Sequence, residues 1–200
     1  MRIITGTAKG IKLFTLEGDA TRPTSERAKE ALFSMIQFDI EGRRVLDLFA
    51  GSGQLGLEAI SRGAAHCTFV DASAEAIGIV KKNIEKTHFT EQTKTMITDY
   101  RNFLRKSGGR EGYDIIFLDP PYASGALPDA LLRLSHTDLM HRGCLLVCES
   151  ENEDLRVLEK DPRLSEMYTV VRSSGYGRVH IELLTPSETY FSKGEQSDGE

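Results

Sequence analysis

No apolar run in the 200 residues approaches the roughly 18 needed to cross a bilayer, and the start of the chain has no apolar core of the kind a secretory signal carries. A cytoplasmic location is the expectation. Cysteine is scarce and odd in number: Cys67, Cys144 and Cys148 sit among Thr, Phe, Leu and Val, which points to buried thiols and away from a disulfide or a zinc site. No metal cofactor is expected. Nor is there an excess of basic residues, since the net charge is −5, whereas phosphate binding usually rests on a basic surface. The distribution of charge weakens that objection. After Ser187 the chain carries Glu188, Glu195, Asp198 and Glu200 against Lys193 alone, whereas Arg2, Lys9 and Lys12 precede the first acid, Glu17. Arg101, Arg105, Lys106 and Arg110 form a second basic run with Glu111 as the nearby counterion. Each run is either a solvated face or a phosphate contact.

With 40% hydrophobic residues the chain can bury one ordinary core, so one main domain with a small appendage is expected. Arg2 to Thr5 and Ile11 to Leu16 lean to β structure around the turn from Gly6 to Gly10, which predicts a hairpin. Ala28, Leu32, Met35 and Ile36 fall on one helical face, with Thr24 or Ser25 as the N-cap. From Val45 onward short apolar runs alternate with helical patterns: Val45–Phe49, Cys67–Val70, Thr95–Thr98, Ile115–Leu118 and Cys144–Cys148, separated by helices over Gln54–Arg62, Ser73–Lys86, Tyr100–Lys106 and Gly125–Met140. Continuous hydrophobicity in the short runs predicts strands covered on both faces, hence an α/β fold with a mostly parallel sheet. Tyr168–Arg172 and Val179–Leu184 are close enough in sequence to form an antiparallel pair. Residues 1–40 read as the N-terminal hairpin and helix, 41–186 as the main domain, and 187–200 as an acidic disordered tail.

The segment Val45 to Gly56 is a strand, a glycine-rich turn and a helix start, with G-x-G-x-x-G at 51 to 56. Alone, this pattern also fits a dinucleotide site. Asp71 closes the second strand, where a carboxylate can accept hydrogen bonds from both ribose hydroxyls of an adenosine-type ligand. Asp47 separates the candidates. A carboxylate just before the loop repels a pyrophosphate but attracts the sulfonium and ammonium of S-adenosylmethionine; its alternative role is to tie down the following helix N-terminus. Asp99, after the third run, and its neighbour Tyr100 either meet the adenine or, for Asp99, cap the next helix.

Asp119-Pro120-Pro121-Tyr122 follows the fourth run. Two prolines end the strand and stiffen the loop. Stiffness suits one chemical problem, because the lone pair of an exocyclic base amine is delocalised and becomes nucleophilic only when the nitrogen pyramidalises. The Asp119 carboxylate and the Pro120 carbonyl can accept its two N–H bonds, and Tyr122 can stack on the base. The alternative is a proline-rich turn with a core tyrosine. The catalytic reading predicts direct in-line methyl transfer from sulfur to nitrogen, aided by proximity and electrostatics, with no covalent enzyme intermediate.

With these motifs, with M-R-I-I-T-G at the start and with the run from Thr21 to Phe33, the chain resembles the RsmD family of bacterial small-subunit ribosomal RNA guanine-N2 methyltransferases. The resemblance extends from Met1 to about Leu184. It implies a Rossmann-like class I methyltransferase fold, seven-stranded with a final antiparallel strand, and S-adenosylmethionine as cofactor. The implied cofactor contacts are Asp47, Phe49, Ala50, Gly51, Ser52, Gly53 and Gly56 at the methionine end, Asp71 and Ala72 at the ribose, and Asp99 and Tyr100 at the adenine. Asp119, Pro120, Pro121 and Tyr122 hold the target base. Arg2, Lys9, Lys12, Arg22, Thr24 and Arg27 position ribosomal RNA, which is expected as part of a partly assembled 30S subunit. Arg178 after Tyr176-Gly177 departs from the family, where an acid is more familiar. Competing functions are an adenine-N6 methyltransferase acting on DNA or RNA, a nicotinamide-dependent oxidoreductase, and a non-catalytic RNA-binding subunit.

Overall fold

The computed structural model describes residues 1–16, 24–106, 112–121, 124–151 and 157–194. After helix α1 (Thr24–Met35) the chain alternates β1 (Arg44–Asp47), α2 (Gln54–Ser61), β2 (His66–Asp71), α3 (Ala74–Thr87), β3 (Thr93–Ile97), α4 (Tyr100–Arg105), β4 (Tyr113–Leu118), α5 (Ala126–Leu134) and β5 (Met140–Glu151). Short helices α6 (Val157–Lys160) and α7 (Pro162–Met167) lead to β6 (Tyr168–Tyr176), β7 (Val179–Pro186) and α8 (Glu188–Gly194).

The strands make one sheet in the order β3-β2-β1-β4-β5-β7-β6. β1 to β5 run parallel, and β7 is antiparallel to both β5 and β6. The expected fold, including the late antiparallel strand, is the one observed. Because the chain winds outward from β1 to β3 and then returns to place β4 beside β1, the order reverses between those two strands, and a crevice opens at their carboxyl ends.

Alternate residues of the parallel strands enter two separate cores. Val45, Cys67, Phe69, Ile115 and Phe117 pack with α1, α2 and α3. Leu46, Val70, Ile116 and Leu118 face α4, α5 and α8. This double burial is the physical reason for the uninterrupted apolar runs. All three cysteines are buried and free, and burial pushes their thiols well above the ordinary range; they are packing residues.

Four expectations need correction. The N-terminal hairpin is reduced to a single antiparallel bridge, Arg2 with Lys12, and Ile3, Ala8 and Leu13 are buried in the α1–α3 core. The arm is therefore bound to the main body. Thr24 and Ser25 already belong to α1, so neither stands outside it as a cap. Helix α5 stops at Leu134, six residues early, because the Ser135 and Thr137 hydroxyls donate to the Leu132 and Leu134 carbonyls at 2.8 Å each, and Met140 is taken into the sheet opposite Tyr113. Finally, residues 188–194 form α8, with Tyr190 buried and its hydroxyl donating to the Thr137 carbonyl at 2.5 Å. Two adjacent aromatics outweigh the acidic composition there; residues 195–200 lie outside the described residues.

Candidate active site

The glycine loop leaves β1 at the crevice. Gly51 and Gly53 have φ of 52° and 79°, values that L side chains rarely adopt. A β-carbon on Gly56 would lie 2.3 Å from the Phe69 ring and 2.6 Å from the Cys67 sulfur, whereas one on Gly51 would meet nothing within 4 Å. The third glycine thus lets α2 lie close on the sheet, and the first leaves open space toward the crevice.

Asp47 is buried, and its Oδ2 accepts the Gly56 N–H at 3.1 Å. The helix-tethering role is therefore present. Burial pushes the carboxyl up to about 7, opposed by the Gly56 bond and reinforced by the charge of Asp71. An ionised carboxylate at this position is therefore unfavourable without a nearby cation.

Asp71 binds the loop itself: one oxygen accepts the Gly51 N–H at 2.9 Å and the other the Ser73 N–H at 2.8 Å. Each oxygen keeps a lone pair for a further donor. Asp99 caps α4, accepting the Asn102 N–H at 3.0 Å and the Asn102 side-chain amide. Those bonds hold its carboxyl below the usual range. The Tyr100 ring packs on Phe49, 5.1 Å between centroids, and its hydroxyl donates to Asp129 at 2.7 Å. Asp129 also receives Arg101 and Arg133 at 2.9 Å each. One member of the second basic run is thereby engaged in joining α4 to α5. Ala72 is exposed beside Asp71, Ala50 is buried, and buried Ser52 offers its carbonyl to Asn83 at 2.9 Å.

On the other side of the crevice, Asp119 is half-buried, Pro120 buried and Pro121 exposed. The Pro121 carbonyl accepts the Ser124 hydroxyl at 2.5 Å, which folds the loop back toward α5. A small groove lies here, bounded by Pro120, Pro121, Ser124, Leu127, Glu149 and Ser150. Glu149 and Ser150 were not anticipated, although an acid near the end of the fifth apolar run is the same kind of signal as Asp71 or Asp119. Tyr122 lies outside the described residues. Among the described residues no cluster of three potential metal ligands occurs, and no helix is long and apolar enough to cross a membrane.

Arg2, Lys9, Lys12 and Arg27 are exposed, Arg2 within 3.7 Å of Glu26, and Thr24 opens α1. Arg22 lies outside the described residues. The arm that carries the first three is fastened by Glu58 of α2, which accepts the Ile4 and Thr5 N–H groups at 2.8 and 3.0 Å. Gly6 sits so close to α2 that a β-carbon would fall 1.7 Å from the Ser61 carbonyl oxygen.

Comparison with known proteins agrees with this geometry. The family model described as conserved hypothetical protein 95 matches residues 1–185. A Bacillus subtilis protein, YlbH, named as a candidate rRNA methyltransferase, is 40% identical over 154 residues, 76% of this chain and 84% of that protein. Ribosomal RNA small subunit methyltransferase D of Haemophilus influenzae is 33% identical over 184 residues, 92% of either chain. A solved Escherichia coli structure, described as a candidate methyltransferase, superposes with a TM-score of 0.81 at 29% identity, over 94% of this chain and 98% of its own. The chain therefore belongs to the conserved hypothetical protein 95 family, the RsmD family that its motifs resemble.

Proposed function

We propose that this chain transfers a methyl group from S-adenosylmethionine to the exocyclic N2 amine of a guanine in bacterial small-subunit ribosomal RNA. The observation that carries the reading is that β1, which leads into the glycine loop, and β4, which leads into Asp119-Pro120-Pro121, are adjacent parallel strands, so both motifs leave the same sheet edge. Bound S-adenosylmethionine supplies a methyl group activated by its sulfonium centre. Asp47 and the glycine loop, with Phe49, face its methionine end, Asp71 the ribose, and Asp99 with Tyr100 the adenine side. Asp119 and the Pro120 carbonyl accept the two N–H bonds of the target amine, and Tyr122 stacks on the base. Arg2, Lys9, Lys12, Arg22 and Arg27 contact phosphates, with Thr24 beside them, on RNA held in a partly assembled 30S subunit in the cytoplasm. A guanine amine takes part in base pairing, so the target must be unpaired or extruded before reaction.

The names of the methyltransferase D relatives support the substrate class. The same acceptors would serve an adenine amine, which makes base identity the decisive measurement. Ribosomal RNA and 30S particles from a strain lacking this gene are incubated with the protein and radiolabelled cofactor, then digested to nucleosides. N2-methylguanosine in RNA from the small subunit is the expected product. N6-methyladenosine in its place would overturn the guanine reading.

A further inference from the structure

Phe14 is an exposed aromatic ring on a fixed backbone. It retains 47% exposure, yet its N–H donates to Asn83 Oδ1 at 2.8 Å and its carbonyl accepts Asn83 Nδ2 at 3.0 Å. Asn83 is fully buried, and the same Nδ2 also donates to the Ser52 carbonyl of the glycine loop at 2.9 Å. One side chain thus holds Phe14 and the loop together. The Lys86 ammonium stands 4.4 Å from the ring centroid. Lys82 lies one turn earlier on the same helix face, and Lys12 two residues before the ring; all three lysines are exposed.

The ring leaves about half of its apolar surface open to solvent, and its fixed backbone means that binding a ligand there costs little ordering. Aromatic faces bordered by cations are the elements with which proteins hold unpaired nucleotides: the ring stacks a base and the cations meet the flanking phosphates. We infer that Phe14, with Lys12, Lys82 and Lys86, is a stacking platform for an unpaired nucleotide of the RNA next to the base being modified. The inference rests on the proposed RNA substrate. It adds a surface on α3 to the N-terminal basic residues, and it ties that surface to the glycine loop through Asn83.

The test uses the full chain saturated with S-adenosylhomocysteine and measures binding of a single-stranded RNA oligonucleotide, and of the same sequence as a duplex, by fluorescence anisotropy. Phe14→Leu keeps an apolar side chain and both backbone bonds but removes the π-face. It should weaken single-strand binding at least about fivefold and leave duplex binding and cofactor affinity unchanged, while Phe14→Trp restores it. Lys86→Ala should reduce the salt slope of binding by about one. If Phe14→Leu binds single strands like the wild type while the wild type methylates RNA, the platform is wrong and the proposed function stands. If Phe14→Leu impairs methylation of 30S particles alone, the ring contacts a protein and the platform is likewise wrong. A wild type that neither binds nor methylates RNA removes both.

Discussion

The Lys29 ammonium lies 3.4 Å from the Glu58 carboxylate with both side chains closed to water, at 2% and 0% exposure. The pair joins three segments. Lys29 also donates to the Arg2 carbonyl at 2.7 Å, and Glu58 receives Ile4, Thr5 and the Arg62 guanidinium. Burial draws the Lys29 ammonium below its ordinary range, with Glu58 opposing. Removing one member of such a group leaves the other charged and unpaired in the core, at a cost of about 3–5 kcal/mol. Glu58→Ala should therefore lower the urea midpoint strongly and expose the N-terminal arm to proteolysis; Glu58→Gln, which keeps an acceptor, should lose less. A Glu58→Ala protein with the wild-type midpoint and an intact arm would show that the network does not hold the arm.

Asp47 gives a dependence on pH. Its carboxyl rises from 3.8 to about 7 on folding, so between those values the folded state holds a proton that the unfolded state has lost. Stability from this group is full below about 3.8 and declines as pH rises to about 7. Asp47→Asn should flatten that decline and make the ligand-free protein more stable than the wild type at pH 8. Ligand binding runs the other way, because the sulfonium and ammonium of the cofactor select the ionised carboxylate: affinity for S-adenosylmethionine should increase with pH up to about 7 in the wild type and not in Asp47→Asn. Calorimetry across pH 5 to 8 reads both proteins, and equal slopes would remove Asp47 from the ligand's surroundings.

Much of this was legible because its signals are local. The glycine spacing, the strand-end acids and the double proline each report a backbone event at one place, and the parallel sheet follows from strands that are apolar on both sides. The roles of Asp47, Asp71 and Asp99 in binding loop and helix N–H groups were only partly visible: a motif shows where a carboxylate stands but not which amides turn toward it. Lys29 and Glu58 are separated by 29 positions in the sequence, and nothing in the helical pattern around Lys29 marks it as buried. Helix α7 could have been read from Asp161-Pro162, a cap followed by a proline at the first helical position. The C-terminal helix was obscured by composition, since the acidic residues that imply a solvated tail surround Tyr190 and Phe191.

Asp71 and Asp119 should separate cofactor from target. Asp71→Ala deprives the Gly51 and Ser73 N–H groups of their acceptor, which loosens the loop and should weaken S-adenosylhomocysteine about 10- to 100-fold. Asp119→Ala should leave that affinity nearly intact and lower kcat about 100- to 1,000-fold, the usual cost of one transition-state acceptor or donor. Wild-type turnover of Asp119→Ala at saturating RNA would rule out the acceptor role.

The C-terminal helix offers a test that is independent of catalysis. Ser187 begins the attachment, its N–H donating to the Met167 carbonyl at 2.9 Å and its hydroxyl to the Glu166 carbonyl at 2.6 Å. Tyr190 then enters the core where α8 meets α7 and β7, and Phe191 meets it edge-on at 4.8 Å while Arg142 covers the Phe191 ring at 4.5 Å. The Arg142–Glu188 pair at 3.1 Å is exposed and adds little, so the aromatic contacts dominate, worth about 2–3 kcal/mol in buried area. Ending the chain at Pro186 should therefore lower the melting temperature by about 4–12 °C, whereas ending it at Gly194 removes Glu195 to Glu200, which follow the helix, and should leave it unchanged. Tyr190→Phe isolates the hydroxyl's bond to Thr137 and should cost about 1 kcal/mol. Equal melting of the Pro186-terminated and full-length chains would show that the helix contributes nothing to the fold.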